Sequence, residues 1–202
     1  MRILHPITED EVVATFLRGE LDSGRYGDTL RAALGRYGLA PHVVRNPNLA
    51  DETENRYRRR LLDEHRAYER REGLFAAFPR HVDWFRAALS RDEVLDILYI
   101  NWDWWLRVSG GSRRPRDAAE RIRGGEVPGV TADEGNEAIA AALHSGVPPP
   151  ELIAVTNPAH APVVLVEGHV RLTAYALFPA YLPEKLEIIL GVSGHISDWS
   201  QF

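Results

Sequence analysis

The spacing of apolar residues changes along this chain, and the change divides it. Val12, Val13, Phe16 and Leu17 fall on one helical face, and Leu30, Ala33, Leu34 and Tyr37 repeat at i, i+3, i+4 and i+7. Thr8 with Glu11, and Ser90 with Glu93, have the Ser/Thr-x-x-Glu form of a capping box, which satisfies free N–H groups at a helix start. The second box opens "DEVLDILYINWDWWL", read as helix. "ADETENRYRRRLLDEHRAYERREG" predicts a long charged helix with a thin stripe of Tyr57, Leu61, Leu62 and Tyr68. "SGRYGD" reads as a turn, "HVVRNPNLAD" as a loop with room for a short strand, "SGGSRRP" as a chain break before a short helix over 117–123, and "GGEVPGV" as a linker.

From about residue 150 the helical period gives way to β-branched runs. "PPPELIAVTN" predicts a strand at 151–156, "PVVLVEG" a buried strand at 162–167, and "LPEKLEIILGVS" a third at about 185–191. "NEAIAAALHSG" and "HVRLTAYAL" read as helices, the latter starting at 168–170. The expected fold class is therefore α+β: a helical region over 1–130, then a small sheet-and-helix domain over 131–202, with the two able to pack as one unit.

Composition narrows the chemistry. The chain has 202 residues and no cysteine, which excludes disulfides, thiolate metal sites and cysteine nucleophiles. No apolar run has transmembrane length and the N-terminus turns acidic at once, so a cytoplasmic protein without a membrane partner is expected. Residues 1–130 hold 22 basic and 21 acidic side chains (+1), and residues 131–202 hold 2 and 8 (−6). The acidic C-terminal region is a poor surface for a phosphate backbone, so nucleic acid is disfavoured as a partner. Arg171 is the only arginine beyond Arg123.

That arginine lies in "VVLVEGHVRLTAY", where an apolar strand meets Glu167-Gly168-His169 and runs into a helix. Glycine lets the backbone approach a ligand closely and take dihedrals that other residues avoid. The first turn of the following helix offers free N–H groups and the positive end of the dipole, and Arg171 can add a bidentate contact. Gly168, His169 and Arg171 thus form a candidate phosphate-binding corner for a small phosphorylated ligand or nucleotide. Glu167 could take a proton from a hydroxyl or hold Mg²⁺, and His169 could donate to a phosphate oxygen or act as the acid–base group. Arg171 has a structural alternative, as a buried arginine paired with Glu167, Tyr175 or a C-terminal carbonyl, as Glu167 and His169 have in a strand-end salt bridge and a core or cap histidine.

The order helix, proline-rich bend, strand, strand, Gly-x-x-Arg helix and strand over 136–192 resembles the ParB/sulfiredoxin-like superfamily, which includes the partition protein's nucleotide-binding domain, sulfiredoxin and free-serine kinases. The resemblance implies a nucleotide such as ATP or ADP with Mg²⁺, phosphates held at Gly168 and Arg171, and a catalytic role for Glu167. It points to a phosphotransferase acting on a small hydroxyl substrate. The alternatives are a non-catalytic module whose nucleotide gates a partner contact, and nuclease-like action. Sulfiredoxin chemistry is excluded, because its cysteine position corresponds to His169.

A second anion-friendly stretch is "VSGGSRRP", where Ser112 and Arg113 precede a helix and could face the same ligand. It lacks the spacing and lysine of a P-loop. "RYRRR" at 56–60, flanked by acidic residues, reads as a solvated helical face, and "YINWDWWL" as core or interface.

Overall fold

The computed structural model describes residues 1–146 and 148–202. A five-stranded mixed sheet carries helices on both faces, so the α+β expectation holds. The strands are β1 (Arg2–Pro6), β2 (Asp83–Ser90), β3 (Ile153–Thr156), β4 (Val163–Glu167) and β5 (Lys185–Val192), in the spatial order β1-β2-β5-β3-β4. Neighbours are antiparallel except β3 and β5, which run parallel.

The three expected strands lie within a residue or two of their predicted limits. β1 and β2 were not anticipated. They extend the sheet into the first hundred residues, so one sheet draws strands from both sides of residue 130. β3, β4 and β5 are apolar on both faces because both faces are covered. Ile153, Val155, Val164, Val166 and Ile189 face one core, and Ala154, Leu165, Ile188 and Leu190 face the other.

The first core is roofed by α1 (Glu9–Leu21), α2 (Gly27–Arg36), α3 (His42–Arg45) and α4 (Glu52–Arg66). Thr8 caps α1 by accepting from the Glu11 N–H at 3.3 Å. Asp51 caps α4, which ends at Ala67 in the left-handed conformation. The α3 segment, read from sequence as loop, is a single helical turn. In α4, Arg58 leaves the expected solvated face. It is buried and donates to the Val43 and Asn48 carbonyls, to Glu54 and to Asn55.

The second core lies under α5 (Arg91–Leu95), α6 (Asp103–Val108), α7 (Pro115–Arg123), α8 (Glu134–Ala141) and α9 (His169–Leu177). The Ser90–Glu93 capping box forms in full, but its helix is only α5. The chain then crosses the edge of β4, where Leu98 bonds to Val163 and Leu165 and covers an otherwise open strand edge. Among the described residues, no helix is long and apolar enough to cross a membrane.

Candidate anion-binding site

The turn from β4 into α9 is built by a local irregularity. Pairing between β3 and β4 runs Ala154 to Leu165 and then Ile153 to Glu167, which leaves Val166 as the extra residue of a bulge. A regular strand would put Val166 and Glu167 on opposite faces. The bulge gives Glu167 the same face as Ile153, towards α1. Gly168 follows with φ of +106°, and a Cβ there would lie 2.5 Å from Leu152 Cδ2. Both the dihedral and the space require glycine.

α9 opens on Gly168 with no side-chain cap, and its first helical bond runs from the Leu172 N–H to the Gly168 carbonyl. Val170 is 58% exposed, so this helix start reaches solvent. Arg171 Nη2 donates to Glu167 Oε1 at 3.2 Å, the pair being mostly buried. Its Nε is buried and makes no hydrogen bond. The guanidinium lies against Gly19 of α1, where a Cβ would come within 3.1 Å of Glu167 Oε1 and 3.3 Å of Arg171 Nη2. A glycine inside a helix costs about 1 kcal/mol relative to alanine, and here it makes room for the ion pair.

Burial pushes the Glu167 carboxyl up from its ordinary range. Arg171 pulls it down, the neighbouring Glu20 carboxylate adds to the rise, and Arg66 opposes it. Burial and then the cations of Arg171 and Arg66 push His169 down to about 3. His169 is therefore neutral at physiological pH. Its ring stacks on Trp105 (centroids 4.9 Å apart), which stacks on the buried Tyr99 at 4.6 Å. His169 Nε2 is buried and unpartnered. Tyr99 in turn bonds Thr173 of α9 at 2.7 Å.

Ser112 and Arg113 have other employment. Arg113 donates from Nε to the Tyr99 carbonyl at 2.7 Å, from Nη1 to a main-chain oxygen of Phe202 at 2.6 Å, and from Nη2 to the Gln201 carbonyl at 2.9 Å. Ser112 Oγ donates to the Ser109 carbonyl and accepts from the Arg114 N–H. Ser112 braces the loop after α6 locally, and Arg113 ties that loop to residues 201–202. Within "YINWDWWL", Tyr99 and Ile100 are core, while Trp102 and Trp104 are exposed.

Sequence reading missed a second group of polar side chains on the α1 side. Glu20 is almost wholly buried and its Oε1 accepts from Arg66 Nε (3.1 Å) and Nη2. Glu20 Oε2 has no hydrogen-bond partner, and neither has Nε2 of the buried His65, 3.9 Å away. The Arg66 guanidinium lies 3.7 Å from the Tyr26 ring centroid. A signal was present: Val13, Phe16, Leu17, Glu20 and Leu21 share the apolar stripe of α1, so Glu20 puts a carboxylate in a core position.

Among the described residues, no group of three or more His, Asp and Glu side chains could hold a metal ion. Mg²⁺ commonly rests on one or two carboxylates and on ligand phosphates, and Glu167 is the carboxylate at hand. No family model, curated protein or solved structure matches the chain.

Proposed function

We propose that the β4–α9 corner binds the phosphate of a nucleotide or another small phosphorylated ligand, in a cytoplasmic ParB-like protein. The observation that carries this reading is Arg171: a mostly buried guanidinium with an unused Nε–H, beside an uncapped helix start that opens to solvent. Amides at a helix N-terminus and a neighbouring guanidinium are the usual partners of a phosphate.

In its enzymatic form the reading is phosphoryl transfer to a small hydroxyl acceptor. Glu167 takes the hydroxyl proton or holds Mg²⁺ that arrives with ATP or ADP, and Arg171 and the α9 amides neutralise charge. His169, neutral and stacked on Trp105, shapes the wall and offers Nε2 rather than a positive charge. A second reading, binding without turnover, is favoured by the pairing of Glu167 with Arg171, which occupies the proposed base.

The test is calorimetric titration with ATP, ADP and pyrophosphate, with and without Mg²⁺, followed by a nucleotide-consumption assay over free amino acids and sugars. Arg171→Ala should weaken binding by at least ~1.5 kcal/mol, the lower end for a hydrogen bond to a charged group. Unchanged affinity with a lowered melting temperature would make Arg171 structural. Glu167→Gln should abolish turnover while binding persists; equal turnover by wild type and variant would remove Glu167 from the chemistry. Binding without turnover in the wild type would select the second reading.

A further inference from the structure

Two ion pairs from different layers of the protein lie against consecutive residues of α1. Glu167–Arg171 belongs to the β4–α9 turn, and Glu20–Arg66 joins α1 to α4. α1 links them: Gly19 faces Glu167 and Arg171 closely enough that a Cβ there would crowd both, and the next residue, Glu20, holds Arg66. Their fields overlap as well, since Arg66 acts on both Glu167 and His169, and Glu20 acts on Glu167.

The pairs share an incompleteness. Each guanidinium is held through a single carboxylate oxygen, Arg171 on Glu167 Oε1 and Arg66 on Glu20 Oε1. Around them lie buried polar atoms without partners: Arg171 Nε, Glu20 Oε2, His65 Nε2 and His169 Nε2. Side-chain exposure is only 3% at Glu20 and 5% at His65, so these are interior groups rather than surface ends. Buried polar atoms are nearly always paired, and each exception has a cause to be found, such as a bound water or ion, strain or a catalytic role. Here the set includes a donor, an acceptor and two imidazole nitrogens that can be either.

We propose that Arg66, held on Glu20, is the second guanidinium of the phosphate site, so that the site prefers a ligand with two or more linked phosphates over a lone phosphate. The inference rests on the phosphate reading of the β4–α9 corner. A single phosphate is served by Arg171 and the amides of α9. A linked second phosphate extends across the layer boundary to Arg66, which leaves Glu20 or shares it. Glu20 is then the counter-ion that holds Arg66 ready, and α1 and α4 are parts of the binding site rather than a separate helical lid.

The experiment is titration calorimetry of the full chain with inorganic phosphate and with pyrophosphate. Arg66→Ala should weaken pyrophosphate binding by about tenfold or more, the loss of one charge-assisted hydrogen bond, and leave phosphate binding within about twofold. Glu20→Gln should tighten pyrophosphate binding, because it frees Arg66 and removes a carboxylate. A purely structural pair would instead give lower stability with no gain in affinity. Removing one partner of a buried pair can unfold a protein, whereas replacing both is often tolerated. Glu20→Gln/Arg66→Met therefore serves as the folded control and should show the Arg66→Ala binding loss. Arg171→Ala separates the two levels. If it abolishes binding of both ligands while the Arg66 variants bind pyrophosphate normally, the second guanidinium is wrong and the corner stands. If wild type binds neither ligand, or Arg171→Ala changes nothing, both readings fall. Equal weakening of phosphate and pyrophosphate by Arg66→Ala would reduce Arg66 to a general field effect and overturn the preference.

Discussion

The chain has two glycine-flanked arginine corners that look alike in sequence and differ in how the guanidinium is used. At 110–113, Arg113 gives its Nε, Nη1 and Nη2 to three main-chain oxygens and, among the described residues, pairs with no Asp or Glu side chain; burial alone pulls its pKa down. At 168–171, Arg171 makes one bond to Glu167 and keeps a buried Nε–H unused. Both corners precede or open a helix. The difference shows that glycines, an arginine and a helix start do not by themselves leave a guanidinium free for an anion; the count of donors already committed decides that. Arg113 is a fastener for the segment around Tyr99 and the chain end. Arg171 has capacity left for a ligand.

The largest expected effect tests the fastener. Arg113→Ala strips three charge-assisted bonds and leaves their oxygens short of partners, so urea unfolding should show a loss of about 3 kcal/mol or more. Its pyrophosphate affinity should match wild type, the reverse of the pattern expected for Arg171→Ala. A stable Arg113 variant that binds phosphate poorly would exchange the roles of the two corners.

Next in size is the charge environment of the second corner, read through His169. Its folded pKa is depressed, so below pH 6.5 the unfolded chain takes up a proton that the native state refuses until about pH 3. This contribution is therefore destabilising as pH falls. Between pH 7 and pH 5 it amounts to about 2 kcal/mol. His169→Phe keeps a ring against Trp105 and removes the titration, so its stability should fall less than wild type over the same interval. Parallel pH profiles would mean that His169 is not held neutral by burial and its two cations.

The smallest effect compares two helical glycines. A methyl group added at Gly35 of α2 would meet nothing within 4 Å, whereas one added at Gly19 of α1 would face the Glu167–Arg171 pair. Gly35→Ala should raise stability by about 0.5–1 kcal/mol. Gly19→Ala should give less than that, because its Cβ must displace the ion pair. Thermal melts of both variants decide it; an equal gain would mean that Gly19 has no spacing role.

The C-terminal strands and the α9 start were legible because the strands' apolar runs are buried on both faces and β4 runs straight into Gly168. β1 and β2 were not. "RILHP" is a short edge strand with little apolar content, and "DWFRAALS" mixes Arg86 into a covered face. Arg86 is tolerated there because Glu11 of α1 and Glu151 each accept from it at 2.7 Å. No local pattern announces such partners. The α5 helix stops early for a tertiary reason, the pairing of Leu98 with β4. At the site, Gly168 and Arg171 could be read from spacing, while Glu20, His65 and Arg66 come together only when α4 packs on α1. The bulge at Val166 that turns Glu167 towards them is likewise a property of pairing, not of the strand's own residues.

The position of β5 bears on the order in which the chain can fold. β5 is last in sequence and central in space, paired with β2 on one side and β3 on the other. Until residues 185–192 are in place, β1–β2 and β3–β4 are two separate antiparallel pairs with open inner edges. During synthesis most of the chain leaves the ribosome before the strand that joins those halves. The sheet therefore closes late through contacts distant in sequence, which is the slow, aggregation-exposed route. The boundary where Gly19 of α1 faces the Glu167–Arg171 pair comes into being only after that final insertion.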